Sequence, residues 1–403
     1  MQKEISGARV LARCLSFQGI KFFFTVPTPR LEPLLDALEA EGDVRVIRAR
    51  NETAATLMAD GYIRRSRLQA AVVTDANGRA VSQISGVTNA WADKIPLVSL
   101  SLCADDEPDF NKGTDRYRFD QCAVFQTVTR WKVRLNVPEK IPEQISRALQ
   151  ESGGHKMGPV HFDIPFRLLH QRVPEDAVRM PQKRLASRPM APVRMRGNAA
   201  ALEEAARLLM TAKKPLVFCG GGVKVSEACA EMMTLLETFG IPVATSMAGT
   251  GCVPISHPLC LGGPSYSSGE VFHAAIKKTD VVFALGTAFG GLEGYGLPPL
   301  WSGSIRFIHV DIDPLQLGLN VRPAVSIQGD VKTVLNQLMD ILRREKFSSP
   351  PEWAAWRRML HGLKRRRAAR LDKDAESKSR LLHQGKLIKE MGPVARRDDL
   401  IVV

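Results

Sequence analysis

Short apolar runs alternate with helix-length amphipathic stretches along most of the chain. "KFFFTV" (21–26) predicts a strand, and "RLEPLLDALEAEG" (30–42) predicts a helix closed by Gly42. "VRVIRA" (44–49) is the next expected strand, and a helix follows over 53–65. "LQAAVVT" (68–74) predicts a strand, "DANG" a turn, about 80–92 a helix and "IPLVSLS" (95–101) a strand. A helix over 138–152 and the strand "GPVHFDIP" (158–165) complete this first run. Such alternation, with Val-rich runs that read as buried on both faces, predicts a doubly wound parallel sheet.

The pattern breaks over 171–196, where four prolines and many arginines predict a linker. Alternation restarts with a helix at 201–212, the strand and turn "KPLVFCGGGV" (214–223) and a helix at 226–240. Strands follow at 241–246, 280–286 and 305–313, and a helix at 331–344. After about 346 the chain turns charged and helical, then stops at "DDLIVV", which reads as a further strand. The expected fold class is α/β: two doubly wound parallel-sheet domains and a basic C-terminal tail. The expected division is 1–170, a linker at 171–196, 197–345, and a tail at 346–403 that opens a further domain.

Composition changes this picture little. At 403 residues and 44% hydrophobic content the chain can bury two cores. No apolar run approaches the length of a membrane span, and the N-terminus reads as no signal peptide. Seven scattered cysteines without a C-x-x-C pair point to reduced thiols, hence a cytoplasmic setting, rather than a disulfide frame or a zinc site. The net charge of +14 raises nucleic acid as a partner. The excess lies in runs such as "RRMLHGLKRRRAAR" (357–370), which carry no nucleic-acid-binding signature and read as solvated faces. No metal-ligand set is expected in the chain.

Three motifs carry candidate chemistry. The turn Gly220–Gly221–Gly222 follows a strand and could let a phosphate approach backbone N–H groups, or could simply be tight. Asp311 and Asp313, at a strand end, could contact ribose hydroxyls or a metal, or could cap the element that follows. In "RNETAATLMADGYIRR" (50–65), Glu52 stands at a helix start and small residues follow it. A first-turn acid complements the helix dipole, with Asn51 as the expected N-cap, and that alone would account for Glu52.

In order, these pieces resemble the thiamine-diphosphate-dependent enzymes of the acetolactate synthase type. That superfamily also contains oxalyl-CoA decarboxylase and benzoylformate decarboxylase. The resemblance runs over about residues 4–345. "FFFTVPTPRLEPLLDAL", "RNETAATLMADGYIR", "SGVTNAWADKIPLVSLS" and "GPVHFDIP" match the family's pyrimidine-binding domain. "FCGGGV", "FGIPVATSMAGTG", "HPLCLGG", "DVVFALG", "IHVDIDP" and "IQGD" match its central, nucleotide-binding-like domain.

The resemblance implies that Glu52 faces N1′ of the cofactor's aminopyrimidine. There a carboxyl group in a largely apolar pocket, its pKa raised toward the working pH, would share a proton with the ring and favour the tautomer that activates the thiazolium C2. It implies that Val26, Pro27, Thr28, Thr74 and Gly78 shape the cofactor pocket. In the central domain Gly220, Gly221, Gly222 and Asp311 would be the places to look for FAD or a nucleotide. The implied substrate is a small 2-oxo acid or an acyl-CoA-type molecule, and the implied assembly is a homo-oligomer without membrane association.

Several positions depart from the family pattern. Its Gly-Pro-Gly turn is here "DANGRAV" (75–81), keeping only Gly78. Its Val-Pro-Gly is Val26-Pro27-Thr28, and Tyr117 and Arg118 stand where the synthases carry Gln-Glu. The Gly-Asp-Gly and later Asn that hold Mg²⁺ and the diphosphate are not found, since Gly329-Asp330 is followed by Val331. The expectation is therefore a lyase or synthase completed by a diphosphate-binding domain, which a separate chain could carry. The alternative is a non-catalytic homologue or associating subunit that keeps the fold.

Overall fold

The computed structural model of the chain describes residues 3–76, 78–105, 120–154, 156–180, 194–264, 269–376 and 384–396. The chain divides into two compact units, Met1–Val193 and Arg194–Val403.

Among the described residues the first unit holds eight strands: β1 (Glu4–Ser6), β2 (Phe22–Thr25), β3 (Arg45–Arg48), β4 (Ala71–Thr74), β5 (Val98–Cys103), β6 (Trp131–Arg134), β7 (Val160–Pro165) and β8 (Arg172–Pro174). Six of them form one parallel sheet in the order β3-β2-β4-β5-β7-β6. Every residue of β4, β5 and β7 is buried, as expected of inner strands covered on both faces. From β2 the chain winds first to β3 on one side and then to β4 on the other. The carboxyl ends of β2 and β4 therefore flank the topological switch point, where open α/β sheets leave a crevice.

The expected helix over about 80–92 is two helices, Gly78–Ser82 and Ile84–Ala92. The linker expected from 171 begins with structure. β8 pairs antiparallel with β1, placing Ile5 opposite Val173 and closing the first unit on its own N-terminus. Three-residue edge strands such as "EIS" and "RVP" are too short to leave an apolar run.

β5 and β7 also carry a buried polar network that no strand pattern announces. Ser99 pairs with His161 and Ser101 with Asp163 in register. Ser99 Oγ lies 2.8 Å from His161 Nδ1, and His161 Nε2 lies 2.9 Å from Asp163 Oδ1. Gln121 Nε2 donates to the same Asp163 oxygen at 2.9 Å. Burial pushes the His161 imidazole below its ordinary range, so it stands neutral, with Phe125 stacked on it at 3.6 Å. Burial alone would raise Asp163; the hydrogen bonds from His161, Gln121 and Cys122 outweigh it and hold the carboxyl below its usual range.

The second unit holds β9 (Pro215–Cys219), β10 (Val243–Thr245), β11 (Val281–Leu285), β12 (Arg306–Asp311) and β13 (Val325–Gln328). They form a parallel sheet in the order β10-β9-β11-β12-β13, with its switch point between β9 and β11. The "IQGD" motif is structural here. Asp330 caps the Val331–Arg344 helix through Thr333 N at 3.1 Å and accepts from Arg194 Nη1 at 3.1 Å.

The basic tail expected from 346 is not a tail over its first turns. The Pro351–Ala375 helix buries Trp353 in the apolar cluster on one face of the sheet, and Trp356 and Leu360 in the cluster on the other. The indole N–H groups of Trp353 and Trp356 donate to Ala212 O and Pro215 O at 2.8 and 3.0 Å. The arginines hide this anchor in the sequence: Trp353, Trp356 and Leu360 keep i, i+3, i+7 spacing beneath them. The strand expected in "DDLIVV" lies outside the described residues. No described helix is long and apolar enough to cross a membrane.

Candidate functional site at a sheet switch point

In the first unit most of the expected cofactor residues gather along the carboxyl edge of the sheet. β2 ends at Thr25, whose Oγ1 donates to Val73 O of the neighbouring β4 at 2.7 Å. The chain then leaves the sheet through Val26, Pro27 and Thr28, and Leu31 N donates back to Thr28 O to close the turn. The Thr28 hydroxyl is buried and has no hydrogen-bond partner among the described residues. An orphaned hydroxyl is uncommon in a folded interior, and it fits a missing polar guest.

Glu52 opens the Glu52–Ser66 helix after β3, with Asn51 extended and accepting from Ala54 N at 2.7 Å as expected. Its residue is only 8% exposed. The small residues behind it have a packing reason. Ala55 and Ala59 are fully buried, and a Cβ on Gly86 of the next helix would lie 2.6 Å from Thr56 Cγ2. The helices thus touch nearly backbone to backbone. Gly61 meets nothing within 4 Å, and Leu57 and Met58 on this helix are exposed.

The carboxylate of Glu52 does not face a purely apolar pocket. Arg79 Nη1 donates to Glu52 Oε1 at 2.7 Å, from a side chain that is 48% exposed. Arg79 belongs to "DANGRAV", the turn that departs from the family. The sequence reading treated this turn only as a loss of glycines and missed the arginine. The signal available was a cation two residues past Asn77, on a turn adjoining a candidate acid.

Thr74 is buried at the end of β4, and its Oγ1 accepts from Gln83 Nε2, so its hydroxyl is tied into the polar network. Gly78 starts the short Gly78–Ser82 helix, and a Cβ there would meet open space. Tyr117 and Arg118 lie outside the described residues. One group of side chains has metal-ligand spacing: Asp120, Cys122 and Asp163 place their ligand atoms within 4.8 Å of one another. Each already has a structural task. Asp120 caps a helix through Ala123 N, Asp163 serves the polar network, and burial with Asp163 alongside pushes the Cys122 thiol up.

In the second unit the three-glycine turn lies at the β9/β11 switch point. Gly220 N donates to Leu285 O at 2.9 Å and Gly222 N to Gly286 O at 3.0 Å. A Cβ on Gly220 would sit 2.2 Å from Gly286 O, and one on Gly222 would sit 2.7 Å from Gly286 Cα. Two of the three N–H groups are therefore used in joining neighbouring loops, and close backbone approach explains the glycines. Gly221 faces Ala248 Cβ at 3.1 Å. Asp311 is buried and accepts from Asp313 N at 2.9 Å, and Asp313 accepts from Leu315 N at 3.1 Å. No helix follows β12, so these acids organise a run of turns rather than cap a helix. None of the seven cysteines is in a disulfide.

Two doubly wound parallel sheets, each with a switch point of the kind at which open α/β sheets bind ligands, define the class of fold. Comparison with known proteins makes the class specific. The N-terminal TPP binding domain of thiamine pyrophosphate enzymes matches residues 5–123, and their central domain matches residues 202–338. The chain belongs to the thiamine pyrophosphate enzymes. It is 30% identical over 350 residues to a probable acetolactate synthase large subunit of Methanocaldococcus jannaschii, covering 87% of this chain and 58% of that protein. It is 27% identical over 377 residues to the acetolactate synthase isozyme 3 large subunit of Escherichia coli, covering 92% and 64%. It is 27% identical over 382 residues to human 2-hydroxyacyl-CoA lyase 1, covering 94% and 63%. The chain thus spans 58–64% of the length of these three relatives.

Proposed function

We propose that this chain supplies the pyrimidine-binding and central domains of a thiamine-diphosphate-dependent enzyme that decarboxylates a small 2-oxo acid or joins it to a second carbonyl. The observation that carries this reading is Glu52, buried at a helix start on the crevice edge of a parallel sheet. The orphaned Thr28 hydroxyl beside the same switch point is what a ring-bearing guest would satisfy. When bound, thiamine diphosphate supplies the carbon nucleophile and the electron sink for loss of carbon dioxide. The chain's own part is to hold the aminopyrimidine and to hold or pass a proton at N1′ through the Glu52 carboxyl. Val26, Pro27 and Gly78 would line the approach. Mg²⁺ and the diphosphate would be held by a diphosphate-binding domain, in a further segment or a separate chain. Any FAD or nucleotide would lie by Gly221 and Asp311.

The names of the relatives divide between synthase and 2-hydroxyacyl-CoA lyase, so the decisive assay offers both substrates. With thiamine diphosphate and Mg²⁺ added, a preparation that also contains the diphosphate-binding domain is given a series of small 2-oxo acids and a 2-hydroxyacyl-CoA. Carbon dioxide release or carbon–carbon cleavage should appear, and Glu52→Gln should lower it by ~10²–10⁴. Turnover unaffected by Glu52→Gln would sink the reading.

A second reading is favoured by one observation, the Arg79–Glu52 ion pair in the altered turn. It makes the chain a non-catalytic homologue that associates with a catalytic partner. Absence of any turnover, with cofactor binding also absent, would select it. A cytoplasmic setting stays the reading of the scattered cysteines in the sequence.

A further inference from the structure

We propose that Arg79 is a built-in competitor for the cofactor: its guanidinium holds Glu52 in the resting chain, and the aminopyrimidine must displace it to bind. This rests on the reading of Glu52 given above and adds the control of that same site.

The geometry sets out both sides of the exchange. Nη1 lies 2.7 Å from Oε1, so a ring nitrogen that takes this same carboxylate oxygen must share it with the guanidinium or displace it. Among the described residues, the side-chain contacts that fasten the short Gly78–Ser82 helix carrying Arg79 to its surroundings lie at its far end. At its far end Thr53 Oγ1 donates to Ser82 O at 2.7 Å, and Gln83 is tied to Thr74 and to Leu100 O. At its near end Gly78 and Arg79 are exposed, and a Cβ on Gly78 would meet nothing within 4 Å. The arginine can therefore swing into water without disturbing the network beneath it. Glu52 cannot follow, because it is buried and its helix is pinned by the Asn51 cap and the Thr56–Gly86 contact. The Arg79 side chain is 48% exposed, so water and salt reach the pair from the arginine side and weaken it. A site whose competent state is only partly populated binds its ligand more weakly by that fraction.

The test titrates two probes into the whole chain: 4-amino-2-methylpyrimidine, which carries no phosphate and no net charge, and thiamine diphosphate with Mg²⁺. The proteins are wild type, Arg79→Gln, Arg79→Lys and Glu52→Gln. Arg79→Gln should bind the pyrimidine about fivefold more tightly than wild type, and Arg79→Lys should stay near wild type. Raising salt should tighten pyrimidine binding by the wild type and leave Arg79→Gln flat. If Glu52→Gln weakens both probes while Arg79→Gln binds as wild type does or more weakly, Arg79 is no competitor, although the site reading stands. If Glu52→Gln leaves both probes unchanged, the site reading fails and this inference fails with it. Arg79→Lys keeps the charge and the fold, so a gain confined to Arg79→Gln cannot come from general loosening.

Discussion

Two threonines at one end of one strand separate what the fold needs from what a guest needs. Thr25 is hydrogen-bonded to the neighbouring strand, whereas Thr28 is buried without a partner. Removing a satisfied buried hydroxyl costs about 1 kcal/mol, whereas removing an orphaned one relieves a desolvation penalty. Thr28→Val should therefore leave the melting temperature of the free chain unchanged or raise it, and Thr25→Val should lower it; thermal unfolding of the two variants checks this. If Thr28 serves the cofactor, the same Thr28→Val protein should bind thiamine diphosphate less well. At this scale the sequence was partly legible. Glu52 and its Asn51 cap could be read directly, because capping is a local matter. Arg79 could not, because its role depends on where the turn after β4 sets it against a helix that begins 27 residues earlier.

Elements tell a similar story. Strands buried on both faces are legible because burial writes an unbroken apolar run, as in "AVVT" of β4. The buried polar network was illegible residue by residue. Its trace lies in two strands at once, S-x-S in β5 and H-x-D in β7, which only the register brings together. That network has a pH signature. His161 and Asp163 both have depressed values in the fold, from ordinary values of 6.5 and 3.8. A group depressed by folding contributes stability that is present above its unfolded value and is lost as pH falls. Unfolding measured by denaturant should thus show stability of the first unit declining as pH drops below 6.5. His161→Gln should flatten that first decline, and an equal slope in the variant would assign the loss elsewhere. The Pro351–Ala375 helix makes the complementary point, since arginines dominate its composition while two tryptophans fix its place. Trp353→Ala should destabilise the second unit by about 3–5 kcal/mol, readable as an early melting step. A change below about 1 kcal/mol would return the helix to the status of a solvated tail.

The two parallel sheets among the described residues follow one logic. In each the chain winds outward from an inner strand and leaves a crevice where the winding reverses. That much was legible, because alternation and strand composition alone imply it. The two crevices then differ. In the first unit the edge holds a buried acid, an orphaned hydroxyl and a half-exposed arginine, which are groups that could meet a heterocycle. In the second the expected glycine cradle is closed by contacts with Gly286. The exposed Leu57 and Met58 on the helix that carries Glu52 give the first unit an apolar face. We expect this helix to meet a second copy of the chain, and sedimentation at micromolar concentration should find at least a dimer. Leu57→Glu should shift that equilibrium toward monomer, whereas a wild-type monomer would contradict the expectation.

The central claim is that Glu52 acts on the cofactor's pyrimidine. Its most direct test is the rate at which the C2 proton of thiamine diphosphate exchanges with deuterated water, followed by proton NMR in the presence of Mg²⁺ and the chain completed by its diphosphate-binding domain. Wild type should accelerate exchange over free cofactor, and Glu52→Gln should slow it by ~10²–10⁴ relative to wild type. Equal exchange rates in the two proteins would contradict the account.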